Sequence, residues 1–439
     1  MSTTIAHPTP AERGRSVAAR AITALRTETG LARVALGAVA LHMVDDAFLQ
    51  ANPGTSASDH LASGLIPTAA LVATAWAYPR LRAGFRAVLA LLFGFLGLLG
   101  GSEALGYAAQ QSGMSGDDYT GLISFAAGLG LLGLGAATLW RSRRTDDHRA
   151  WRYLRRLLLA AGGLALAFVF ALPIAVGYFF THVGRADVPP AKLGAAHEDV
   201  SFETSDGLTL RGWFVPSKNG ATVISFPGRK GPQKQARLLI EHGYGVLLFD
   251  RRGEGDSDGD PNGYGWTGGR DLHGAVRFLQ QRPDVDPDRI GGIGLSVGGE
   301  MMIQAAAEST AFKAIVSEGG SGRSVRDTIA NPDTRWDEVL SMATAALSTG
   351  LFSNDMPPAT LESLASRIAP RSVFFIYAKH GQGGSETKPN RNFYAVAGQP
   401  KEIWEVPVGD HTRGLDVRPK EYERRVIGFF DRALLKQNR

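Results

Sequence analysis

Two hydropathy textures meet near residue 190. Before it, apolar runs of about 20 residues alternate with short polar breaks; after it, brief apolar runs punctuate a more polar sequence. The long runs fall at roughly 31–50, 61–79, 86–108, 119–140 and 157–181. About 20 apolar residues are what an α-helix needs to cross a bilayer. The second to fifth runs are nearly free of internal charge and rich in Gly, Ala and Leu; small residues let membrane helices approach closely. The pattern predicts an all-α transmembrane bundle of about five helices over residues 31–182.

Beyond it, Ala221–Phe226, Tyr244–Phe249, Ala314–Ser317, Ser372–Tyr377 and Glu402–Val408 read as buried strands, and a further β-prone run enters Gly294. Asp271–Gln281 and Met301–Ala307 read as helices between them. Strands alternating with helices predict an α/β domain over residues 198–439 with a mostly parallel, doubly wound sheet. Residues 183–197 are expected to be a linker. Two helix-like runs, Asp337–Leu351 and Pro358–Ile368, interrupt the alternation within about 319–371.

Charge sharpens this division. A net charge of +5 by itself points to nucleic acid. Its placement does not: residues 1–190 hold 16 Lys/Arg against 11 Asp/Glu, the whole of the excess, and the arginines lie between apolar runs. Arg13, Arg15, Arg20, Arg26 and Arg33 precede or begin the first run. Arg80, Arg82 and Arg86 follow the second, and Arg141, Arg143, Arg144, Arg149, Arg152, Arg155 and Arg156 follow the fourth, whereas 51–60 and 109–118 contain no Lys or Arg. The positive-inside rule then predicts a multi-pass protein of the cell membrane, with residues 1–30 a basic cytoplasmic N-terminus and the α/β domain on the outer face. No cleavable signal peptide is read, because the first apolar run starts late. The absence of cysteine fits an exported domain that takes no part in disulfide chemistry.

The chemistry gathers at Gly294-Leu295-Ser296-Val297-Gly298, where the β-prone run ends and a helix former begins. A serine at a sharp strand-to-helix turn projects its Oγ, and glycines on either side let the two elements pass closely. The segments FPGRKG (226–231), FDRRGEGDSDG (249–259), DPDRIGGIGLSVGG (286–299) and VGDHTRGL (408–415) occur around it in a fixed order. Through them, residues 198–436 resemble the α/β-hydrolase superfamily, nearest its dienelactone-hydrolase-like and serine-aminopeptidase-like members. The resemblance implies Ser296 as nucleophile and His411 as general base, with backbone N–H groups of Val297 and Arg229 as an oxyanion hole. It implies no cofactor and no metal. For the acid it leaves two candidates: Glu386, in the loop after Ser372–Tyr377, and Glu318, directly after Ala314–Ser317. Segment 319–371 would then be a small helical lid, and a lid facing the bilayer favours a lipophilic ester. Arg251 and Arg252 are expected to hold loops through salt bridges to neighbours such as Asp256.

The resulting expectation is a membrane-anchored serine hydrolase that cleaves an ester, thioester or amide through an acyl-enzyme. Its partners would be a small-molecule or lipid-like acyl substrate and membrane lipid, with no nucleic acid. A peptidase or an acyltransferase would use the same residues. A different class is also open: His42, Asp45 and Asp46 share one helix face in the first apolar run, and ionisable groups inside a membrane are functional candidates. A transporter or sensor with a hydrolase-like binding domain would tolerate loss of Ser296 and need those three residues.

Overall fold

The computed structural model describes residues 26–108, 114, 116–141, 148–182, 185, 187–330 and 334–435. Most of the basic N-terminus, including Arg13, Arg15 and Arg20, and also Arg143 and Arg144, lie outside the described residues. Two compact units are present: residues up to 51 with 57–161, and residues 162–439 with 52–56.

The first unit is helical. Helix α1 (Glu28–Val44) is capped by Thr27, whose hydroxyl accepts from the Gly30 N–H at 3.0 Å, and it ends in a π-helical turn, Asp45–Leu49. Helices α2 (Leu61–Ala77), α3 (Ala83–Ala108), α4 (Asp118–Arg141) and α5 (Arg149–Leu166) follow. Among the described residues three helical stretches, Leu61–Arg80, Ala83–Gly106 and Asp118–Arg141, are long and apolar enough to cross a membrane. The other two predicted spans differ. The first is a 17-residue helix, and the fifth is divided into α5, a π-helical turn at Ala167–Ala171 and the short α6 (Leu172–Thr181). Small residues do bring backbones together here: a Cβ on Gly128 of α4 would lie 2.7 Å from the Gly94 carbonyl oxygen of α3. Trp76, Phe85 and Ile123 face outward and are exposed, apolar surface that water disfavours.

The second unit is built on one eight-stranded sheet: β1 (Glu198–Glu203), β2 (Thr209–Val215), β3 (Thr222–Phe226), β4 (Gly245–Phe249), β5 (Ile290–Leu295), β6 (Ala314–Glu318), β7 (Ser372–Ala378) and β8 (Lys401–Val406), in the order β1-β2-β4-β3-β5-β6-β7-β8. From β4 to β8 every pairing is parallel; β2 runs antiparallel to both β1 and β4. Helices α7 (Gln233–Glu241), α8 (Gly268–Gln280), α9 (Val297–Glu308), α10 (Trp336–Ser353), α11 (Thr387–Val396) and α12 (Pro419–Phe430) complete it. Successive residues of one strand serve opposite cores: Ile224 packs with Leu272 and Met301, and Val223 packs with Tyr422 and Phe430. Burial on both faces is why these strands appear in the sequence as unbroken apolar runs. The hydropathy pattern does not single out β1 and β2. In β1 only Phe202 is buried, so this edge strand reads as polar.

Three expectations change. In the expected linker, the described residues around Leu193 are not a free tether: Leu193 is 2% exposed and packs into the core that holds Val223 and Tyr422. Helix α6, read as the end of a membrane span, packs within this unit on α10; the Tyr178 and Phe352 rings meet edge to face at 5.3 Å, and the Ser348 hydroxyl donates to the Pro173 carbonyl at 3.4 Å. Asp256 pairs with Arg229 at 2.8 Å, while Arg251 pairs with Glu254, and Arg252 bridges Asp206 and the fully buried Asp271. These arginines therefore hold loops, with partners that differ from the expected one.

Candidate active site

Strand β5 delivers Ser296 into the turn that opens α9. The residue has φ 54° and ψ −128°, a conformation that L side chains rarely adopt. Its N–H donates to the Glu318 carbonyl oxygen at 2.8 Å, which ties the turn to the end of β6. The flanking glycines are required by close approach: a Cβ on Gly294 would lie 2.2 Å from the Gly298 carbonyl oxygen, and one on Gly298 would lie 2.4 Å from Pro227 Cδ. Val297 is the first residue of α9, so its N–H belongs to the helix end whose donors have no partner within the helix.

His411 comes from the loop after β8. Its Nε2 is 2.8 Å from Ser296 Oγ, and its Nδ1 is 2.6 Å from Glu386 Oε1. Glu386 precedes α11 and is fully buried, and its second oxygen accepts from the Ala378 N–H at 3.1 Å. The fold thus joins Ser296, His411 and Glu386 in one hydrogen-bonded chain. Asp410 turns back on the backbone and accepts from the His411 N–H at 2.7 Å.

The other acid candidate is committed elsewhere. Glu318 accepts from the Gly414 N–H at 3.0 Å and from the Tyr422 hydroxyl at 2.7 Å. Burial pushes its carboxyl up to about 7, against the opposing pull of those two hydrogen bonds. This group makes a testable contribution to stability. Because the folded state holds the proton more tightly than the unfolded chain, that contribution is present below the ordinary glutamate range and is lost as pH rises through about 7. In paired unfolding titrations, Glu318→Gln is expected to remove a pH-dependent loss of up to about 3 kcal/mol between pH values near 4 and 8. Identical pH profiles for wild type and variant would defeat the assignment.

The Arg229 N–H does not match its expected role. It donates to Asp250 Oδ1 at 2.6 Å, and the Arg229 guanidinium pairs with the same carboxylate. A donor already held by a carboxylate is not free to receive an oxyanion. Gln382, which the sequence reading does not single out, lies beside the site: its Nε2 is 3.2 Å from His411 Nε2. Its φ of 48° marks a strained loop, a signal that exists only in the folded chain.

In the helical unit, His42 Nδ1 lies 3.2 Å from Thr120 Oγ1, and that hydroxyl donates to Asp45 at 2.7 Å. Both His42 and Asp45 are buried. Among the described residues no group of His, Asp and Glu is arranged to hold a metal ion.

Known proteins match the same region. The family model for X-Pro dipeptidyl-peptidases (S15 family) matches residues 179–372. An uncharacterized Escherichia coli K12 protein, YfhR, is 25% identical over 261 residues, which cover 55% of this chain and 83% of that one. The polyketide transferase grgF of Penicillium is 37% identical over 145 residues, covering 31% of this chain and 48% of that one. Among solved structures, the esterase Pf2001 of Pyrococcus furiosus superposes with a TM-score of 0.47 at 23% identity, covering 57% of this chain and 98% of that one. A hydrolase family model that begins on α6 and runs to the first residue of β7, over a mostly parallel eight-stranded sheet, supports a hydrolase with an α/β-hydrolase fold.

Proposed function

We propose that the chain hydrolyses an ester, thioester or amide through an acyl-enzyme formed on Ser296. The observation that carries this reading is the continuous hydrogen-bonded chain from Ser296 Oγ through His411 to Glu386. His411 Nε2 takes the hydroxyl proton as Oγ bonds to the scissile carbonyl carbon. It then gives that proton to the leaving alcohol, thiol or amine as the acyl–leaving-group bond breaks. Water, deprotonated by the same nitrogen, releases the acid and restores Ser296. Glu386 keeps Nδ1 protonated and stabilises the imidazolium. The Val297 N–H, reinforced by the positive end of α9, receives the oxyanion. Since the Arg229 N–H is occupied, the second donor in this reading is the next one along the loop, at Lys230, which borders the cleft beside Ser296.

Residues 319–371 act as a lid in this reading, with α10 as its main helix. The orientation with the N-terminus inside and the hydrolase domain outside draws on the three apolar spans and the alternation of arginine-rich and arginine-free breaks, and it needs two further crossings, one by residues 28–49 and one by residues 157–171 ahead of α6. On alkaline carbonate extraction the protein is expected to stay with the membrane pellet, and protease added to intact cells is expected to cut the hydrolase domain. Release into the supernatant, or cleavage only after lysis, would contradict this placement.

The name of one relative, a polyketide transferase 37% identical over 145 residues, favours acyl transfer as a second reading. There an acceptor alcohol or amine replaces water in the second half-reaction. The decisive experiment for both is labelling with a fluorophosphonate probe. Wild type is expected to label and Ser296→Ala is not. A folded wild type that remains unlabelled would overturn the acyl-enzyme and favour a binding or transport role.

A further inference from the structure

The cleft that opens at Ser296 has a volume of about 670 Å³ and is lined by one sign of charge. Lys192, Lys230, Lys234, Arg237 and Arg413 border it, against the single carboxylate of Asp416. Asp416 is already engaged, 2.5 Å from Lys234 and 3.5 Å from Arg413. Lys192, Lys230 and Arg237 have no carboxylate partner among the described residues.

This segregation is local. Residues 191–439 contain 31 basic and 31 acidic residues, so a neutral domain concentrates five cations at its nucleophile. The wall is also built rather than loose. The Lys192 N–H donates to Gln233 Oε1 at 2.8 Å, Gln233 Nε2 donates to the Arg229 carbonyl at 2.7 Å, and the adjacent Leu193 is buried in the core. Like charges held around a concavity repel one another, and the field they focus there is relieved by an anion.

Building on the assignment of Ser296 as nucleophile, we propose that the substrate is an anionic acyl compound. Its carboxylate or phosphate binds among Lys192, Lys230 and Arg237 while its scissile carbonyl reaches Ser296. A phosphate on a lipid headgroup and an anion on a soluble ester share this chemistry.

Binding is measured on full-length Ser296→Ala protein, so that turnover does not enter. The probes are mono-p-nitrophenyl glutarate, neutral p-nitrophenyl valerate, and phosphatidylcholine vesicles with or without phosphatidic acid. The glutarate ester is expected to bind about tenfold more tightly than the valerate ester. That advantage should fall toward one in about 0.5 M salt and in the Lys192→Glu/Lys230→Glu double variant. Lys218→Glu, the same kind of replacement at the opposite end of the sheet with half the charge change, should keep it, whereas Lys192→Glu alone, matched to it in charge, should already weaken it. A preference seen with the soluble ester assigns a free anion, and one seen only with phosphatidic acid vesicles assigns a lipid phosphate. Equal binding of charged and neutral probes in both formats, or a preference that survives the double replacement, would overturn the proposal. The two layers separate cleanly. Fluorophosphonate labelling without anion preference rejects the anion site alone, and anion preference in an unlabelled wild type rejects the acyl-enzyme alone.

Discussion

Ser296→Ala is expected to reduce kcat/KM on any turned-over ester by about 10⁴-fold or more, and to abolish covalent labelling, while the protein folds normally. The size follows from the arrangement. Ser296 Oγ is the atom hydrogen-bonded to His411 Nε2, and alanine leaves the imidazole with nothing to deprotonate except water. Residual rate would come only from the oxyanion donors and substrate binding. The fold should be spared because the turn is held by its backbone: the Ser296 N–H bonds to the Glu318 carbonyl, and neighbouring close contacts involve glycines. Losing one partly exposed hydroxyl should change stability by no more than about 0.5 kcal/mol. Rates by ester hydrolysis and unfolding by circular dichroism check both halves. A variant that keeps more than a tenth of wild-type activity would remove Ser296 from the mechanism.

Glu386→Gln should lower kcat by about 10³- to 10⁴-fold, whereas Glu318→Gln should cost less than about tenfold. The carboxylate of Glu386 faces two donors at once, His411 Nδ1–H on one oxygen and the Ala378 N–H on the other. An amide has one oxygen and one NH₂ group. Whichever way it is placed, it confronts a donor with a donor, and the histidine either loses its partner or takes the wrong tautomer. Glu318 instead faces Gly414 and Tyr422, and its replacement disturbs no atom of the Ser296–His411 pair. An uncharged probe gives an independent check. A Cβ added at Gly381 would lie 2.1 Å from Glu386 Oε1, so Gly381→Ala should displace the carboxylate and lower kcat in the same direction. Equal losses at Glu386 and Glu318 would mean that the variants report fold integrity rather than the acid.

The two acids illustrate where the sequence stops being informative. Both follow strand-like runs, and chain order allows either to precede His411. What separates them is direction: Glu318 points toward α12 and Tyr422, while the loop after β7 turns Glu386 beneath the imidazole. Arg229 repeats the lesson. The sequence shows a loop after β3 with an available N–H, but the Asp250 carboxylate that occupies it comes from the end of β4.

Legibility follows the physics of burial. Strands β3 to β7 could be read because residues buried on both faces of a parallel sheet leave uninterrupted apolar runs, and the Ser296 turn because its glycines are demanded by backbone contact. The long apolar helices could be read for the same reason, since composition alone sets whether a helix is long and apolar enough to cross a bilayer. The sequence by itself thus determined the class of the domain, its nucleophile candidate and the apolar character of the N-terminal half. Tertiary structure alone decided that Leu193 packs rather than tethers, that α6 joins α10, which carboxylate meets His411, and that five separated cations converge on one cleft. Each of these depends on the directions of side chains brought together from distant parts of the chain, and local sequence pattern carries no record of direction across such distances.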